Sequence, residues 1–304
     1  MYQYYGELAA VTTAVFWTIT ALAFESAGKK VGSLSVNIIR LSFAFIYLGL
    51  LSLILHGHVL PVGASAHNWI WLSVSGLVGF VLGDLFLFQA YVVLGARISM
   101  LIMSLAPPIA AITGWLIMGE TMSFKGIIGM IVTFFGISIT VLAKKTANEP
   151  GHGFFNLLHF RYPVKGILLA LGGAAGQGIG LVLSKYGIND YDPFAATQIR
   201  VITGLIGFII VISYVGFWPR VISAVKNVSA MKRMSVGAFF GPFLGVSFSL
   251  LAVKFTSSGV ASTIISIVPV LIIAPSVIFM KEKVTWIEII GAVISVAGVS
   301  LFFI

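Results

Sequence analysis

The chain carries the same set of residues twice, at a spacing of 162 positions. The matched pairs are Gly79/Gly241, Gly83/Gly245, Ser104/Ser266, Pro107/Pro269, Met118/Met280, Glu120/Glu282, Ile128/Ile290, Gly129/Gly291 and Gly136/Gly298. This regularity indicates a tandem duplication, with a first copy at residues 1–145, a linker at 146–162 and a second copy at 163–304. Each copy contains five apolar runs, and an odd number of membrane crossings turns the second copy upside down relative to the first.

Ten apolar runs of about 20 residues follow one another, and each is long enough to cross the hydrocarbon core of a membrane as a helix. The runs are Leu8–Phe24, Leu34–Leu55, Trp69–Val93, Ile98–Met118, Phe124–Ala143, Val164–Ser184, Phe194–Gly216, Met234–Val253, Val260–Met280 and Thr285–Ile304. Hydrophobic residues make up 59% of the chain and charged residues 9%, too few to cover a soluble globule. The sequence therefore predicts an all-α integral membrane protein, with ten transmembrane helices in two inverted five-helix repeats.

Most of the 18 basic residues lie in short loops between the runs, and the formal net charge is +9. We expect these residues to face anionic lipid, and we expect no nucleic-acid partner. Thirteen of them fall on the side opposite the N-terminus, called side B, whereas the N-terminal side, side A, has only Lys125, Lys185 and Lys254. The positive-inside bias predicts that side B is cytoplasmic and that both termini lie outside, in the plasma membrane of a prokaryote.

Two further segments bear on the organisation of the chain. The first run lacks a basic leader, so we predict a retained helix rather than a cleaved signal peptide. The connection Lys144–Pro163 is the one long loop, and its Phe154–Phe160 segment predicts an anchor at the lipid surface.

Short motifs recur in the fourth and fifth runs of each copy. The fourth run contains a proline and ends at Gly119–Glu120 or Lys281–Glu282, and the fifth carries the spaced glycines Gly129/Gly136 or Gly291/Gly298. In this combination the chain resembles the EamA-domain family of the drug/metabolite transporter superfamily. The resemblance implies a ten-helix carrier of small organic metabolites such as amino acids, with a central cavity and no nucleotide-driven motor. It also implies cytoplasmic termini, which conflicts with the charge bias.

Prolines interrupt the fourth run and its counterpart, the ninth. They are Pro107 and Pro108 in one and Pro269 and Pro275 in the other. Each proline removes a backbone donor and frees a carbonyl group where little water is present, which is typical of helix breaks near cavities. We predict hinges that let one repeat rock against the other, and a packing kink without substrate contact is the alternative.

Few ionisable residues lie deep inside the runs, where a charge is costly unless it is paired or hydrated. Arg40 and Arg200 are equivalent at a spacing of 160 residues, and each lies about six residues from a helix end, on opposite halves of the membrane. Asp84 lies near the middle of the third run, and its counterpart is Val246. Three interpretations remain open: a structural pair of Arg40 with Asp84, attraction of a substrate carboxylate or phosphate by the two arginines at the cavity mouths, and a proton-coupling role for Asp84.

Polar and aromatic residues complete the predicted substrate pathway. The pathway candidates are Trp17, Asn37, Arg40, Asp84, Gln89, Gln177, Gln198 and Arg200. A carrier site needs only a few polar contacts in an otherwise apolar pocket, and this set supplies them. Gln177 is the counterpart of Trp17, so the two copies differ at this position as they do at Asp84.

No catalytic, metal or cofactor site is predicted. The chain has no cysteine, and His56 and His58 lie in a loop without a carboxylate or thiol to complete a metal site. Glu120 and Glu282 fall on opposite membrane faces beside lysines such as Lys125, which favours ion pairs at helix ends over acid–base chemistry.

The sequence as a whole predicts a secondary transporter, an exporter or a permease, rather than an enzyme. Its expected partners are the lipid bilayer, a small-molecule substrate, a coupling proton and a second copy of the chain in a homodimer. Two alternatives stay open, a translocase for lipids or lipid-linked sugars and a membrane scaffold without transport. Charged and amide side chains inside the runs favour a carrier over a scaffold.

Overall fold

The structure, a computed structural model, describes residues 4–94, 96–147, 163–275 and 285–301. Within these ranges all regular secondary structure is helical, as the continuous apolar runs predict, and no strand occurs. The predicted linker at 146–162 lies almost entirely outside the described residues, as do its Phe154–Phe160 segment and the charged residues Lys281, Glu282 and Lys283.

The helices of the first copy are α1 (Tyr5–Val31), α2 (Ser33–His56), α3 (Ala66–Gly76), π1 (Leu77–Gly83), α4 (Asp84–Leu94), α5 (Ala96–Met103), α6 (Ala106–Met118) and α7 (Phe124–Ala147). Those of the second copy are α8 (Val164–Ile188), α9 (Pro193–Val215), α10 (Trp218–Lys226), α11 (Val228–Ala238), π2 (Phe239–Gly245), α12 (Val246–Phe255), α13 (Ser258–Ile265), α14 (Val268–Leu271) and α15 (Trp286–Ser300). Here π1 and π2 are π-helices, which have a wider turn than an α-helix.

Seven helical stretches among the described residues are long and apolar enough to cross a membrane. They are Tyr5–Val31, Ser33–His56, Ala66–Leu94, Val164–Ile188, Pro193–Val215, Val228–Phe255 and Ser258–Pro275. Three shorter apolar helices, Ala106–Met118, Phe124–Ile139 and Ile289–Ser300, overlap the fourth, fifth and tenth predicted runs. The protein is thus an all-helical integral membrane protein.

Local sequence explains where several helices begin and end. The side chain of Asp192 accepts a hydrogen bond at 2.8 Å from the third residue of α9, and Pro193 occupies the first position of this helix, where no backbone donor is needed. Gly119 and Gly216 end α6 and α9 in the left-handed conformation, with φ of 64° and 68°, which favours glycine. Such caps fix the helix register.

The third span of each copy contains a π-helix at the same place. π1 and π2 begin and end 162 residues apart, and each contains two of the matched glycines. In π1, Gly83 lies against Gly176 of α8 so closely that a Cβ atom at Gly83 would be 3.2 Å from the Cα of Gly176. Glycine at both positions therefore allows the backbones to approach.

Each copy packs its first helix on the third span of the other copy. On one side α8 contacts π1, where Gly180 lies against Gly79. On the other side α1 contacts π2, where Thr20 lies against Gly241. The two contacts are equivalent, because Thr20 and Gly180 are 160 residues apart and Gly79 and Gly241 are 162 apart.

The helices α7 and α15 pack against each other in an antiparallel direction. Gly136 of α7 lies against Ser295, whereas Thr133 of α7 lies against Gly298. The partner number rises as the α7 number falls, and this defines the antiparallel arrangement. Gly136 and Gly298 are matched residues of the two copies, so the same glycine serves both helices at this crossing.

The predicted breaks occur in the fourth and ninth runs. Turns at Ser104 and Ser266 separate α5 from α6 and α13 from α14. Pro107 and Pro269 are each the second residue after their break, and Pro108 follows directly. Pro275 is the last described residue before the gap at 276–284. Pro107, Pro108 and Pro269 lie in the first turn of a new helix, where a missing backbone donor costs little. Their hinge role remains a prediction.

Candidate solute cavity and buried charge cluster

Asp84 is the centre of a buried polar cluster. Its backbone N–H donates to the carbonyl of Gly79, five residues earlier, so the wide turn of π1 ends at this carboxylate. Arg40 Nη2 of α2 donates to Asp84 Oδ2, and Gln177 Nε2 of α8 donates to Asp84 Oδ1 at 2.7 Å. Both carboxylate oxygens therefore have a donor, one from each copy of the chain.

Arg40 is held on several sides. Its Nε donates to Asn37 Oδ1 at 3.0 Å, and its guanidinium lies 4.7 Å from the centroid of the Phe88 ring. Arg40, Asn37 and Asp84 are all fully buried. Arg40 Nε and Nη2 have acceptors, whereas Nη1 is buried without one. The charge of the pair is neutralised, so removal of one partner would leave an uncompensated charge.

Arg200 of α9 has a different environment. Its guanidinium lies 4.7 Å from the centroid of Phe80 in π1, and Arg40 lies 5.8 Å from the same ring. Arg200 is only 4% exposed, yet no described residue accepts a hydrogen bond from it and its Nε is buried without a partner. A desolvated cation–π contact contributes on the order of 2 kcal/mol, whereas transfer of an ion out of water costs several kcal/mol.

The two arginines converge, although their Cα atoms were expected on opposite halves of the membrane. Arg40 starts near side B and Arg200 near side A, but both side chains reach Phe80. Long arginine side chains account for this, because the charged head lies far from its own Cα. Around Phe80 the described residues provide two guanidinium groups and the one carboxylate of Asp84, an excess of one positive charge.

A cavity of about 120 Å³ lies between the two copies. Its walls include Trp17 and Phe24 of α1, Phe88 and Tyr91 of α4, and Gln177 of α8. Phe24 and Phe88 also contact Arg40, so one wall of the cavity is the outer surface of the charge cluster. Gln177 both lines the cavity and hydrogen-bonds Asp84, which places it between the two.

The remaining pathway candidates lie elsewhere. Gln198 Nε2 donates to the carbonyl of Val59 at 2.7 Å, and Gln89 accepts from Ser33 Oγ at 3.0 Å. Neither glutamine is among the residues that line the cavity. Three of the four predicted hinge prolines line a cavity. Pro269 lines the same cavity, and Pro107 and Pro108 line a second one of about 190 Å³.

An ion pair joins the copies at the side A ends of their helices. Glu120, just after α6, lies 2.5 Å from Lys185 Nζ of α8. The second oxygen of Glu120 accepts from the backbone N–H of Ser258 at 3.0 Å, and Lys185 also donates to the carbonyl of Thr256 at 2.5 Å. The partner of Glu120 is thus Lys185 rather than the adjacent Lys125, and local spacing carries no signal for a partner 65 positions away.

Neither Glu120 nor Lys185 is among the residues that line the cavity. Its lining residues on α1 run from Trp17 to Phe24, and those on α4 from Leu87 to Tyr91, which are the parts of these helices nearer to side B. Other lining residues, Leu181, Ser249 and Ser262, lie in the opposite halves of their spans, so the cavity reaches the middle of the helix bundle. The Glu120–Lys185 pair lies farther out, at the ends of α6 and α8.

The chain matches the protein family described as "EamA-like transporter family" over residues 4–142 and 164–304. It is 26% identical over 198 residues to "Uncharacterized transporter YvbV" of Bacillus subtilis (strain 168), which is 64% of this chain and 59% of that protein. It is 28% identical over 124 residues to an "Uncharacterized transporter" of Archaeoglobus fulgidus, 40% of this chain and 41% of that protein. The matches therefore span less than two thirds of each curated relative.

The fold also occurs among solved structures. One, described only as "Crystal structure of protein", superposes with a TM-score of 0.69 at 16% identity. The superposition covers 98% of this chain and 96% of that one. At this identity the similarity concerns the fold alone.

Proposed function

The chain belongs to the EamA-like transporter family, and on that premise we propose that it is a secondary carrier that moves a small organic solute by alternating access. The observation that carries the proposal is the cavity between the two copies, one wall of which is the outer surface of the buried charge cluster. We infer that the Glu120–Lys185 ion pair, which joins the copies at helix ends, closes one end of the pathway, and a closed end suits a carrier, whereas a channel needs a continuous pathway. Amino acids and similar metabolites are the solute class.

The architecture that we propose is ten crossings in two inverted repeats. Seven long apolar helices and three shorter ones supply the crossings. Support for the inversion comes from the antiparallel packing of α7 on α15 and from the equivalent contacts of α1 with π2 and of α8 with π1. In such a design the two copies exchange conformations, so a cavity closed towards side A becomes one closed towards side B.

The cycle assigns roles to residues of both copies. Trp17 and Gln177 contact the solute, because they line the cavity at equivalent positions. The breaks before Pro107 and Pro269 absorb the movement, and the Glu120–Lys185 pair opens when side A opens. Asp84 is the carboxylate that takes up and releases a coupling proton, since it reaches the cavity through Gln177.

The test is flux into proteoliposomes that contain the purified chain. Amino acids, nucleosides and organic anions are offered with and without a pH gradient, and we expect saturable uptake of at least one class. Uptake of none of them would contradict a carrier, and movement of a labelled lipid alone would favour the lipid translocase. Orientation is measured separately with a reporter fused to the C-terminus, which distinguishes the charge bias from cytoplasmic termini.

A cross-link makes the test specific for alternation. The chain has no cysteine, so the double variant Glu120→Cys/Lys185→Cys provides the only two thiols. A short thiol-reactive cross-linker between them holds side A closed, and we expect uptake to stop and to return when a reducible linker is cleaved. The two single variants treated in the same way are the controls. Unchanged flux in fully cross-linked protein would rule out a gate at this place.

A further inference from the structure

Arg200 is a buried cation for which no described residue supplies a hydrogen-bond acceptor. Its guanidinium has five N–H donors and lies against the face of Phe80, and the carboxylate of Asp84 acts on it electrostatically without accepting a hydrogen bond from it. Buried polar groups in folded proteins nearly always have partners, so each exception requires a reason. A membrane helix makes the exception more costly, because lipid offers no replacement for water.

The equivalent residue in the first copy shows that the fold is able to satisfy an arginine here. Arg40 has Asp84, whereas the residue at the corresponding place for Arg200 is Val246. Val246 is itself buried. The second copy therefore has the arginine without the carboxylate. A buried arginine of this kind is suited to bind an anion that is not part of the chain.

The surroundings of Arg200 are also shaped by small residues. A Cβ atom added at Gly79 would lie 3.0 Å from Arg200 Nη2, with the backbones of Gly176 and Gly180 within 3.9 Å. A larger side chain at Gly79 would occupy the space beside the guanidinium. Glycine at this position therefore lets the guanidinium approach the backbone of π1 closely at its contact with α8.

Gln177 connects this place to the cavity. Its Nε2 lies 3.4 Å from the carbonyl of Gly79, the residue beside the guanidinium, and the same side chain lines the cavity. The Gln177 side chain therefore lies between the cavity and the part of π1 that contacts Arg200. A planar guanidinium with free donors suits a carboxylate or a phosphate, which it binds with two parallel hydrogen bonds.

We propose that Arg200 binds an anionic oxygen group of the transported solute, a carboxylate or a phosphate, after Gln177 moves aside. The inference rests on the proposed function and names its substrate class as organic anions or zwitterions that carry such a group. The binding is assigned to Arg200 rather than Arg40, because Arg40 already donates to the Asp84 carboxylate, whereas Arg200 has no hydrogen-bond acceptor among the described residues. The site thus comprises one arginine at mid-membrane depth rather than two arginines at separate cavity mouths.

The experiment compares matched solutes in proteoliposomes of the full chain. Benzoate is paired with benzamide, each carried amino acid with its amide, and inorganic phosphate is offered alone. We expect uptake of the carboxylate member or of phosphate, and these two arms identify which anion is recognised. The variant Arg200→Met should lower that uptake about 30-fold or more, since truncation of a buried hydrogen-bonded charge pair has at least this effect on affinity.

Two further variants keep the test independent of a folding defect. Arg200→Lys retains the charge without the planar fork, and we expect an intermediate loss of uptake. Arg200→Gln removes the charge but keeps a polar side chain, so it should lower anion uptake as Arg200→Met does, and size-exclusion chromatography of the purified variant checks that the protein remains folded. The matched control is Arg220→Gln, which removes an arginine that stacks on Phe217 outside the cavity and should leave uptake unchanged.

The outcomes separate the two claims. Equal uptake of acids and amides, or unchanged anion uptake in Arg200→Met and Arg200→Gln, would overturn the Arg200 site while the carrier function stands. The absence of uptake for every solute would overturn the carrier function and the site together. Anion uptake that depends on Arg200 and not on Arg220 is the result that we expect.

Discussion

Arg40 and Arg200 occupy equivalent positions in the two copies, and the structure gives them opposite surroundings. Arg40 is fully buried and paired with Asp84. Arg200 is 4% exposed and has the Phe80 ring beside it, but no described acceptor. The two arginines are 160 residues apart at matched positions, and the counterpart of the Asp84 carboxylate is Val246. On our proposal, the difference separates a charge that stabilises the fold from one that binds the solute.

The largest expected effect comes from making Arg40 resemble Arg200. The variant Asp84→Ala leaves the Arg40 guanidinium buried and without its carboxylate, and we expect a loss of about 3–5 kcal/mol in the free energy of unfolding. Denaturant unfolding of the purified protein measures it. The double variant Arg40→Met/Asp84→Leu removes both charges and should recover most of the loss. If Asp84→Ala alone were as stable as the original protein, the pair would have no structural role.

A smaller effect is expected when Gln177 no longer supports Asp84. The variant Gln177→Leu removes a hydrogen bond to a charged group, which contributes about 1.5–3 kcal/mol, and should weaken the response of uptake to a pH gradient. The matched control is Gln198→Leu, because Gln198 is also a glutamine inside a span but donates to a neutral carbonyl, that of Val59. Its expected cost is about 1 kcal/mol. Identical behaviour of the two variants would remove the link between cavity and carboxylate.

A second pair of equivalent positions repeats the contrast near the membrane surface. Lys185 joins the copies through Glu120, with 20% and 14% side-chain exposure, whereas its counterpart Glu25 pairs within α1 with Lys29, which is 70% exposed. The variant Glu120→Gln should shift the protein towards the state open to side A by about 1 kcal/mol, and Glu25→Gln by less. Labelling of a cysteine at Ser262 in the cavity by an impermeant reagent from side A measures the shift.

Charge exchange distinguishes this gate from a general surface effect. The double variant Glu120→Lys/Lys185→Glu reverses both charges and should restore the low labelling rate of the original protein. A labelling rate that stayed high in the double variant would indicate that the side chains act through something other than their mutual attraction.

Much of the fold was predictable from the sequence, because apolar runs of membrane length specify helices almost independently of tertiary structure. The all-helical membrane class and the family are both confirmed. The two π-helices had only an indirect signal, the matched glycines Gly79 and Gly83 with their counterparts. A π-turn depends on which backbone approaches the helix, and in π1 that is α8, more than 90 residues away in the chain.

The site was less predictable, for a related physical reason. Depth along a helix locates a Cα atom, but a long side chain carries its charge elsewhere, so Phe80 as a common contact of Arg40 and Arg200 had no signal in the sequence. Lys185 as the partner of Glu120 was missed because helix-end pairing was sought among sequence neighbours. Contacts between the two copies decide both features, and single-sequence patterns describe only one element at a time.

The most direct test of the contrast between the two arginines is the unfolding free energy of Arg40→Met and Arg200→Met, measured side by side in the same detergent without solute. Arg40→Met leaves the buried Asp84 carboxylate without its arginine partner, and the unfolding free energy should fall by about 3–5 kcal/mol. Arg200→Met removes a buried charge that has no hydrogen-bond acceptor among the described residues, so the unfolding free energy should remain within about 1 kcal/mol of that of the original protein or exceed it. A loss in Arg200→Met as large as that in Arg40→Met would contradict the account.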